Sequence, residues 1–511
     1  MGVGARGSLL LTIACAAALA TPALSMDPPA RGADLALVNR VTWGINPADA
    51  RAIGALGPDR WLEQQLNPPR GDHLPRAVQD QIDASYGGHA SMAATLTAIE
   101  DQRAASLAAA GADADKKQAA QQAYQQALNA EVRQAQLRSV LRALYSADQL
   151  REQMTWFWFN HFNVSANKAD IRAMVGDYED TALRPHALGR FRDLLEATLR
   201  HPAMLRYLDN ADNAVGHINE NYAREIMELH TMGVGSGYTQ KDVQELARIL
   251  TGVGVDLRPN PPRLPPALQG QLIRQGLFEF NPNRHDYGDK VFLGHVIRGA
   301  GFGEVEQALD ILTREPATAR HISRQLATYF VADAPPQPLV DAMTATFQRT
   351  DGDISDVLRT MFRSPQFHAS LGSKFKDPVH YVYSAIRLAY GDRVILNAGP
   401  AARWLDRLGE GLYRHETPDG YSMTTTGWDG PGQMESRFEL ARQIGSGGAG
   451  LFKSDAPGAV DQPGFPQLQN ALYYEALAKG LAPATTAALN QAISPQDWNA
   501  LFLSSPDFMR R

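Results

Sequence analysis

The sequence has almost no cysteine: Cys15 is the only one among 511 residues. A single thiol cannot form an intramolecular disulfide, and a metal site built from several cysteine ligands is excluded as well. A chain of this length can instead be stabilised by burying a large apolar core. Cysteine-based catalysis is not expected, because Cys15 lies in a segment that we predict to be removed.

Long hydrophobic runs are also scarce. Residues 9–20 (LLLTIACAAALA) form one, but it is shorter than the roughly 20 apolar residues that span a bilayer. Arg6 precedes this run, and the small-residue site ALS follows it at residues 23–25. This order is typical of a cleavable signal peptide, here residues 1–25. We therefore predict export to the periplasm or the extracellular space, with no membrane span in the mature chain.

Positive charge is not in excess, since the formal net charge is −6 at pH 7. A nucleic-acid partner is therefore not expected, because such partners are recognised by basic surfaces. The sequence also lacks the HExxH motif of zinc proteases, the GxSxG motif of serine hydrolases and a phosphate-binding loop. It identifies no cofactor and no metal site.

Helix-forming residues are abundant. Residues 91–150 are rich in Ala, Gln, Leu, Glu and Arg, and only Gly111 interrupts them. We predict two long helices here, over about residues 91–110 and 113–145, packed as an antiparallel hairpin.

The predicted fold class is mainly α, with one large multi-helix domain over residues 33–511 that follows a short linker over residues 26–32. β structure is expected to be at most a short hairpin, formed by residues 277–280 and residues 290–293 on either side of a polar loop.

The densest group of polar residues lies within a helix that we predict over residues 218–232. At about 100° per residue, Asn221, Arg224, Glu225 and Glu228 share one stripe, opposite an apolar face. Two carboxylates one turn apart can act as general acid and base. Glu225 and Glu228 are therefore candidate catalytic residues.

The remaining polar residues of this helix, Glu220, Asn221 and Arg224, are candidate substrate-binding residues. The same pattern is also typical of a solvated helix face, in which Glu220–Arg224 and Arg224–Glu228 form salt bridges at i,i+4 spacing. The sequence leaves both interpretations open.

Asn160 and His161 follow four aromatic residues at positions 156–159. Aromatic rings mixed with amides can bind sugars, so Asn160 is a candidate binding residue and His161 a candidate catalytic one. The alternative is a buried aromatic helix end.

A predicted loop carries His285, Asp286 and Lys290. A carboxylate can orient an imidazole in catalysis, so we predict catalytic roles for His285 and Asp286, and substrate binding for Lys290. A solvated polar turn is the alternative. Trp428, in a Gly-rich segment, is a further candidate for substrate binding, although that segment is also typical of a plain connection.

If these segments meet in one cleft, they favour a hydrolase acting on a polar or glycan-like substrate. The alternative is a non-catalytic protein that binds carbohydrate or a partner protein through the same polar face.

Seven segments of the sequence resemble a bacterial family known as domain of unknown function 1800. They are residues 37–44 (LVNRVTWG), 158–162 (WFNHF), 184–195 (RPHALGRFRDLL), 201–210 (HPAMLRYLDN), 219–233 (NENYAREIMELHTMG), 237–243 (GYTQKDV) and 285–290 (HDYGDK). The resemblance implies a helical, exported protein and gives no activity. It also implies a possible partner, an exported protein with an alkaline phosphatase or sulfatase fold. The segment over residues 418–432 departs from the family's usual pattern.

Overall fold

The computed structural model describes residues 1–2, 32–69, 71–87, 91–258, 260–454 and 460–511. The predicted signal peptide, Cys15 and the linker up to residue 31 lie outside the described residues, apart from residues 1–2. The mainly α fold class is confirmed, with 61% of residues in helices and 4% in strands. Among the described helices, none has the length and apolar character needed to cross a membrane.

The first half of the described chain contains twelve α-helices. These are α1 Gly32–Val41, α2 Pro47–Leu56, α3 Pro58–Leu66, α4 Arg76–Ser85, α5 Met92–Ala110, α6 Ala114–Tyr145, α7 Gln149–His161, α8 Val175–Asp177, α9 Phe191–Arg200, α10 Pro202–Tyr207, α11 Asn221–Glu225 and α12 Gln240–Ile249. Two segments are π-helical, Tyr178–Leu183 and Ile226–His230. Short 3₁₀ turns lie at Ala169–Ala173, Arg184–His186 and Asn210–Asp212.

Five short strands follow, in two antiparallel sheets. They are β1 Val253–Val255, β2 Ile273–Gln275, β3 Phe278–Phe280, β4 Lys290–Phe292 and β5 His295–Ile297. The sheet orders are β1-β3-β2 and β4-β5. In the first sheet Phe280 lies opposite both Val253 and Ile273.

The predicted pairing of residues 277–280 with residues 290–293 is wrong. Each of these strands instead pairs with a nearer neighbour, β3 with β2 and β4 with β5. Two-residue loops that contain Gly276 and Gly294 make these connections, and both glycines have positive φ angles, +58° and +81°. Tight turns with positive φ are the strongest local signal for a hairpin, and they determine the pairing here.

The remaining helices are α13 Phe302–Arg314, α14 Pro316–Phe330, α15 Gln337–Arg349, α16 Ile354–Phe362, α17 Pro365–Ser370, α18 Pro378–Tyr390, α19 Gly399–Arg407, α20 Pro431–Gly445, α21 Ala471–Glu475, α22 Pro483–Leu489 and α23 Pro495–Ser504. Short 3₁₀ turns lie at Pro266–Gln271, Pro282–Arg284, Thr425–Gly427 and Leu477–Gly480.

The predicted helical hairpin is confirmed, since α5 packs against α6. Ser91 and Asp113 cap the two helices: their side chains accept hydrogen bonds from the backbone N–H groups of Ala94 and Lys116, at 3.2 and 3.1 Å. Such caps satisfy N–H groups that would otherwise have no partner at a helix start.

Helices α7 and α18 lie in the centre of the molecule. All thirteen residues of α18 are buried, and α7 is buried from Gln149 to Phe159 except at Arg151. A helix that is buried on all sides belongs to the core. The core itself is one continuous cluster that extends from Leu37 to Met509. The last turn of α7 therefore presents Asn160 and His161 from a fixed position.

The first described helix is joined to the last residues of the chain by a buried guanidinium. Arg40 donates hydrogen bonds to the backbone carbonyls of Phe330, Ser370 and Arg511, with the last two at 2.5 and 2.6 Å. Arg511 is itself buried and donates to the carbonyl of Tyr329 at 2.9 Å. One side chain thus connects α1 with α14, α17 and the segment after α23.

Replacing Arg40 with Met should lower the free energy of unfolding by about 3 kcal/mol, because it leaves the buried backbone oxygens of Phe330 and Arg511 without a donor. Urea unfolding followed by circular dichroism would measure this change. The matched control is Arg51→Met, since Arg51 pairs only with Asp392, at 3.1 Å, and both side chains are 63% exposed. That substitution should change stability by less than about 1 kcal/mol. Equal effects of the two substitutions would contradict the assigned role of Arg40.

Candidate functional site

The predicted helix over residues 218–232 is shorter than expected and is not regular. It begins at Asn221 as an α-helix and continues over Ile226–His230 as a π-helix, in which hydrogen bonds join residues five apart. Such π-helical turns are rare and often occur at functional sites. Tyr222, Ala223, Ile226 and Met227 are buried as predicted.

The carbonyl groups at the end of this π turn are bound by side chains from distant elements. His161 Nε2 lies 3.0 Å from the carbonyl oxygen of His230, and His321 Nε2 lies 3.2 Å from that of Leu229. Because a carbonyl oxygen only accepts, both histidines must carry a proton on Nε2. The Thr231 hydroxyl binds the carbonyl of Ile226 at 2.6 Å. The C-terminal carbonyls of this helix thus have fixed partners.

The three histidines of this region, His161, His230 and His321, are neutral in the folded protein. Burial lowers the pKa of His161 to about 3, and the nearby His321 lowers it further. Burial, with His161 and His321 close by, holds the pKa of His230 well below its usual range, and burial also lowers the pKa of His321. His161 is therefore suited to hold the π turn rather than to exchange protons near neutral pH.

Asn160 also has a positioning role. Its amide nitrogen donates to the carbonyl of Tyr421 at 3.0 Å, and its side-chain oxygen accepts from the N–H of Tyr421 at 2.6 Å. Gly420 permits this close approach, since a Cβ atom there would lie 2.1 Å from the carbonyl oxygen of Asn160. Asn163 adds hydrogen bonds to the carbonyls of His415 and Thr417, at 3.1 and 2.8 Å. The end of α7 therefore holds residues 415–421 in place.

These contacts bring Glu225, Glu228 and Asp419 together in what we call the carboxylate patch. Arg224 forms salt bridges with Glu220 at 3.3 Å and with Glu228 at 3.5 Å, as expected for a solvated helix face. Glu225, in contrast, has no hydrogen-bond or ion-pair partner within the described residues, and it is only partly exposed. Burial raises the pKa of Glu225, and the charges of Glu228 and Asp419 raise it further.

Two tyrosines and a histidine flank the carboxylate patch. Tyr238 hydrogen-bonds to Glu228, and burial together with that bond raises the pKa of Tyr238 to about 12. Tyr207 donates to the carbonyl of Glu416 at 2.6 Å. The His415 imidazole lies 3.3 Å from the Asp419 carboxylate and packs on the Tyr421 ring, with 4.5 Å between ring centroids.

An open cleft of about 520 Å³ lies beside the carboxylate patch. Its lining residues include Asn167, Arg414, His415, Thr417 and Tyr421. Thr417 connects this cleft to the patch, because its hydroxyl binds the Asp419 carboxylate at 2.5 Å. The cleft itself is lined by the carboxylates of Asp406 and Glu416 and by the Tyr421 ring, and Thr417 joins it to the carboxylate patch.

The predicted loop residues His285 and Lys290 are not available for a substrate. Both side chains are 0% exposed and bind Glu304: His285 Nε2 at 2.8 Å and Lys290 Nζ at 2.5 Å. His285 Nδ1 also contacts the carbonyl of Thr251 at 2.8 Å. Asp286 accepts two hydrogen bonds from Arg248, at 2.8 and 3.2 Å. Buried polar groups need partners, which accounts for the contacts of His285 and Lys290, whereas Asp286 is 21% exposed and paired with Arg248.

Asn221, Trp428 and Glu220 also have contacts that stabilise the fold. Asn221 donates to the carbonyl of Leu208 at 3.2 Å, near the start of α11. Trp428 is buried, and its indole N–H donates to the carbonyl of Ser422 at 2.8 Å. Glu220 accepts from Gln240 at 2.7 Å as well as from Arg224. Of the sequence-predicted candidates, only Glu225 has no hydrogen-bond or ion-pair partner within the described residues, and Glu228 is 28% exposed beside its partner Arg224.

The sequence prediction did not include Asp419, His415, Tyr207 or Tyr238. The polar run at residues 414–419 (RHETPD) was a possible signal, but local pattern does not show that it folds onto α7. The structure also yields no group of three or more His, Asp or Glu side chains arranged to hold a metal ion, within the residues it describes.

Comparison with known proteins gives one match. The model of a family described as "Protein of unknown function (DUF1800)" matches residues 36–510. No curated protein and no solved structure matches the chain.

The buried histidines predict that stability falls as the pH falls below about 6.5. An unfolded histidine has a pKa of about 6.5 and so binds protons that the folded form excludes. For His161 this loss extends to about pH 3, the folded pKa. It should reach roughly 3 kcal/mol at pH 4, since pH 4 lies about 2.5 units below the unfolded pKa and each pKa unit corresponds to about 1.4 kcal/mol.

Urea unfolding at pH 7, 5.5 and 4 would measure this dependence. The variant His161→Gln, whose amide can still donate to the His230 carbonyl, should show a weaker decrease in stability between pH 7 and pH 4. An unchanged pH dependence in this variant would show that His161 is not a buried neutral histidine.

Proposed function

The chain belongs to the DUF1800 family, whose description states no activity, and from the carboxylate patch we propose that it hydrolyses a polar, glycan-like substrate outside the cytoplasm. The observation that carries this proposal is the contrast between Glu225 and Glu228. Glu228 is paired with Arg224 at 3.5 Å, whereas Glu225 has a raised pKa and no hydrogen-bond or ion-pair partner within the described residues.

Two carboxyl groups in different environments can take different catalytic roles. Glu225, whose protonated form is favoured by burial and by neighbouring negative charge, is the general acid. Glu228, which is paired with Arg224, is the general base. The two residues lie three positions apart, and hydrolysis of a glycosidic bond commonly uses two carboxyl groups.

In this mechanism Glu225 donates its proton to the leaving oxygen as the bond from that oxygen to the sugar carbon breaks. Glu228 removes a proton from a water molecule, whose oxygen forms the new bond to the same carbon. The two carboxyl groups return to their starting states by exchanging protons with solvent. Burial of Glu225 raises the pKa of its carboxyl group, so this group holds its proton to a higher pH than a free carboxyl group does.

The cleft beside the patch supports a sugar-like substrate. The Tyr421 ring is partly exposed at this opening, and Thr417 and His415 offer polar contacts next to it. A flat aromatic face beside hydrogen-bonding groups suits the apolar and hydroxylated faces of a sugar ring. Asn160 holds Tyr421 in position from beneath.

Non-catalytic carbohydrate binding by the same surface is the second candidate. It is favoured by the open form of the cleft and by the Arg224 salt bridges, which match the expected pattern of a solvated face. The partnership with an exported phosphatase-like or sulfatase-like protein, implied by the family resemblance, stays a prediction.

Glu225→Gln should reduce turnover by about 10²–10⁴-fold, because it removes the general acid without changing the shape of the side chain. Purified protein would first be screened against glycans and against phosphate and sulfate esters, with and without divalent cations. The wild-type rate should fall as the pH rises through the pKa of Glu225, and the variant should lack this decrease.

Glu306→Gln is the matched control, since Glu306 is 52% exposed on α13 and lies 3.7 Å from Arg200. Its turnover should equal that of the wild type. Full activity of Glu225→Gln would refute the acid role. Glycan binding without turnover of any substrate would favour the second candidate.

Export is predicted to require residues 2–25, and the mature chain should begin near Met26. N-terminal sequencing of protein from the periplasm or medium would determine the cleavage site, and deletion of residues 2–25 should leave the protein in the cytoplasm. Finding protein outside the cytoplasm with Met1 intact would refute cleavage.

A further inference from the structure

A second cavity, which none of the carboxylate patch residues lines, lies between α1, α18 and the segment that follows α20. Its volume is about 580 Å³, within the range of pockets that hold small organic molecules. Much of its lining is apolar and includes Leu35, Leu388, Leu477, Leu481, Phe502 and Phe508. Nothing in the proposed hydrolysis uses this cavity, which we call the lysine cavity after the residue described next.

Lys376 lines this cavity and is 2% exposed. Its Nζ lies 3.9 Å from the centroid of the Phe508 ring, which also lines the cavity. Within the described residues, the ammonium group has no hydrogen-bond partner and no carboxylate within 4.0 Å. A buried ammonium group without an anionic partner is unusual, because burial of a charge is unfavourable unless the charge is paired.

The position of Lys376 is fixed by its backbone. Its N–H donates to the carbonyl of Met509 at 2.9 Å, and its carbonyl accepts from Arg437 Nη2 at 2.8 Å. The side chain therefore extends into the cavity from a rigid base. It is not a surface lysine that has folded inward.

The surroundings of Lys376 are electropositive. Arg437 and Arg511 are both buried nearby, and with burial they lower the pKa of Lys376 well below its usual range. Asp377 opposes this lowering in part, and Glu475 and Asp507 line the cavity together with Lys479 and Arg510. Asp377 is bound to His380, at 2.7 Å, and burial together with Asp377 raises the pKa of Glu410 well above its usual range. An anion placed beside Lys376 would satisfy these cations.

We propose that the lysine cavity binds an amphipathic carboxylate, with the carboxylate paired to Lys376 and the hydrocarbon chain against the apolar lining. An alkyl chain would gain from burial against leucine and phenylalanine side chains. A carboxylate would form a charge-assisted hydrogen bond with the ammonium group, which belongs to a residue that is 2% exposed. Phe508 would contact both the carboxylate end and the hydrocarbon chain of this ligand, because its ring lies beside Lys376 Nζ and also lines the cavity.

Isothermal titration calorimetry with dodecanoate and dodecanol, both below their aggregation concentrations, would test this proposal. The purified exported protein should bind dodecanoate at least tenfold more tightly than dodecanol. Lys376→Met should remove this preference and leave dodecanol binding unchanged. Its thermal midpoint should be equal to or higher than that of the wild type, because a buried unpaired charge is replaced by an apolar chain of similar length.

Ala476→Trp is a second variant that keeps the test independent of Lys376. Ala476 is a partly exposed residue of the cavity lining, so a large ring there should weaken binding of both compounds. Equal binding of dodecanoate by wild type and Lys376→Met would overturn the proposal, as would no binding by the wild type. Binding seen only after removal of the residues before Gly32 would also overturn it, because the N-terminal segment would then be the natural occupant.

Discussion

The structure depends on a buried guanidinium that binds backbone oxygen atoms and no side-chain carboxylate. Burial, with the nearby charge of Arg511, lowers the pKa of Arg40 to about 9, so it remains charged at neutral pH. Three carbonyls from separate parts of the chain offset the loss of its hydration. Gln153 extends the network, since it contacts the carbonyl of Arg40 and the guanidinium of Arg511, at 3.4 and 3.5 Å. Through Gln153 this network also fixes α7.

The position of the carboxylate patch follows from α7. His161 holds the π turn that carries Glu228, and Asn160 holds the segment that carries Asp419. Neither residue needs to contact a substrate to be essential. Polar groups at the end of a buried helix must find partners, and here those partners belong to the two segments that form the patch. The sequence predicts substrate binding by Asn160 and catalysis by His161, whereas the contacts of both residues support positioning roles.

Local features could be predicted from the sequence, whereas long-range partners could not. The helix caps at Ser91 and Asp113 and the capping box formed by Thr239 and Asp242 depend on residues three apart, and all are present. The partner of Asn160, in contrast, lies 261 positions away. His285 illustrates the same limit, because a histidine beside an aspartate suggests chemistry, yet its partner Glu304 lies 19 residues further on, in the core. A pattern of polar and apolar residues spaced at 100° per residue also does not predict a π turn within the helix.

The segment over residues 410–421 is held at both ends, and this explains how a loop can carry a site. At one end the Glu410 carboxyl group accepts from the N–H of Val379 at 3.0 Å, at the start of α18. At the other end Tyr421 is bound to Asn160 of α7, and its hydroxyl donates to the carbonyl of Gly411 at 2.8 Å. Asp419 and His415 lie between two anchors on central helices, so they keep their positions relative to Glu225. General acid and base catalysis needs such fixed placement, because a proton moves only over hydrogen-bonding distance. The two central helices therefore stabilise the core and, through their terminal polar groups, also hold the carboxylate patch in place.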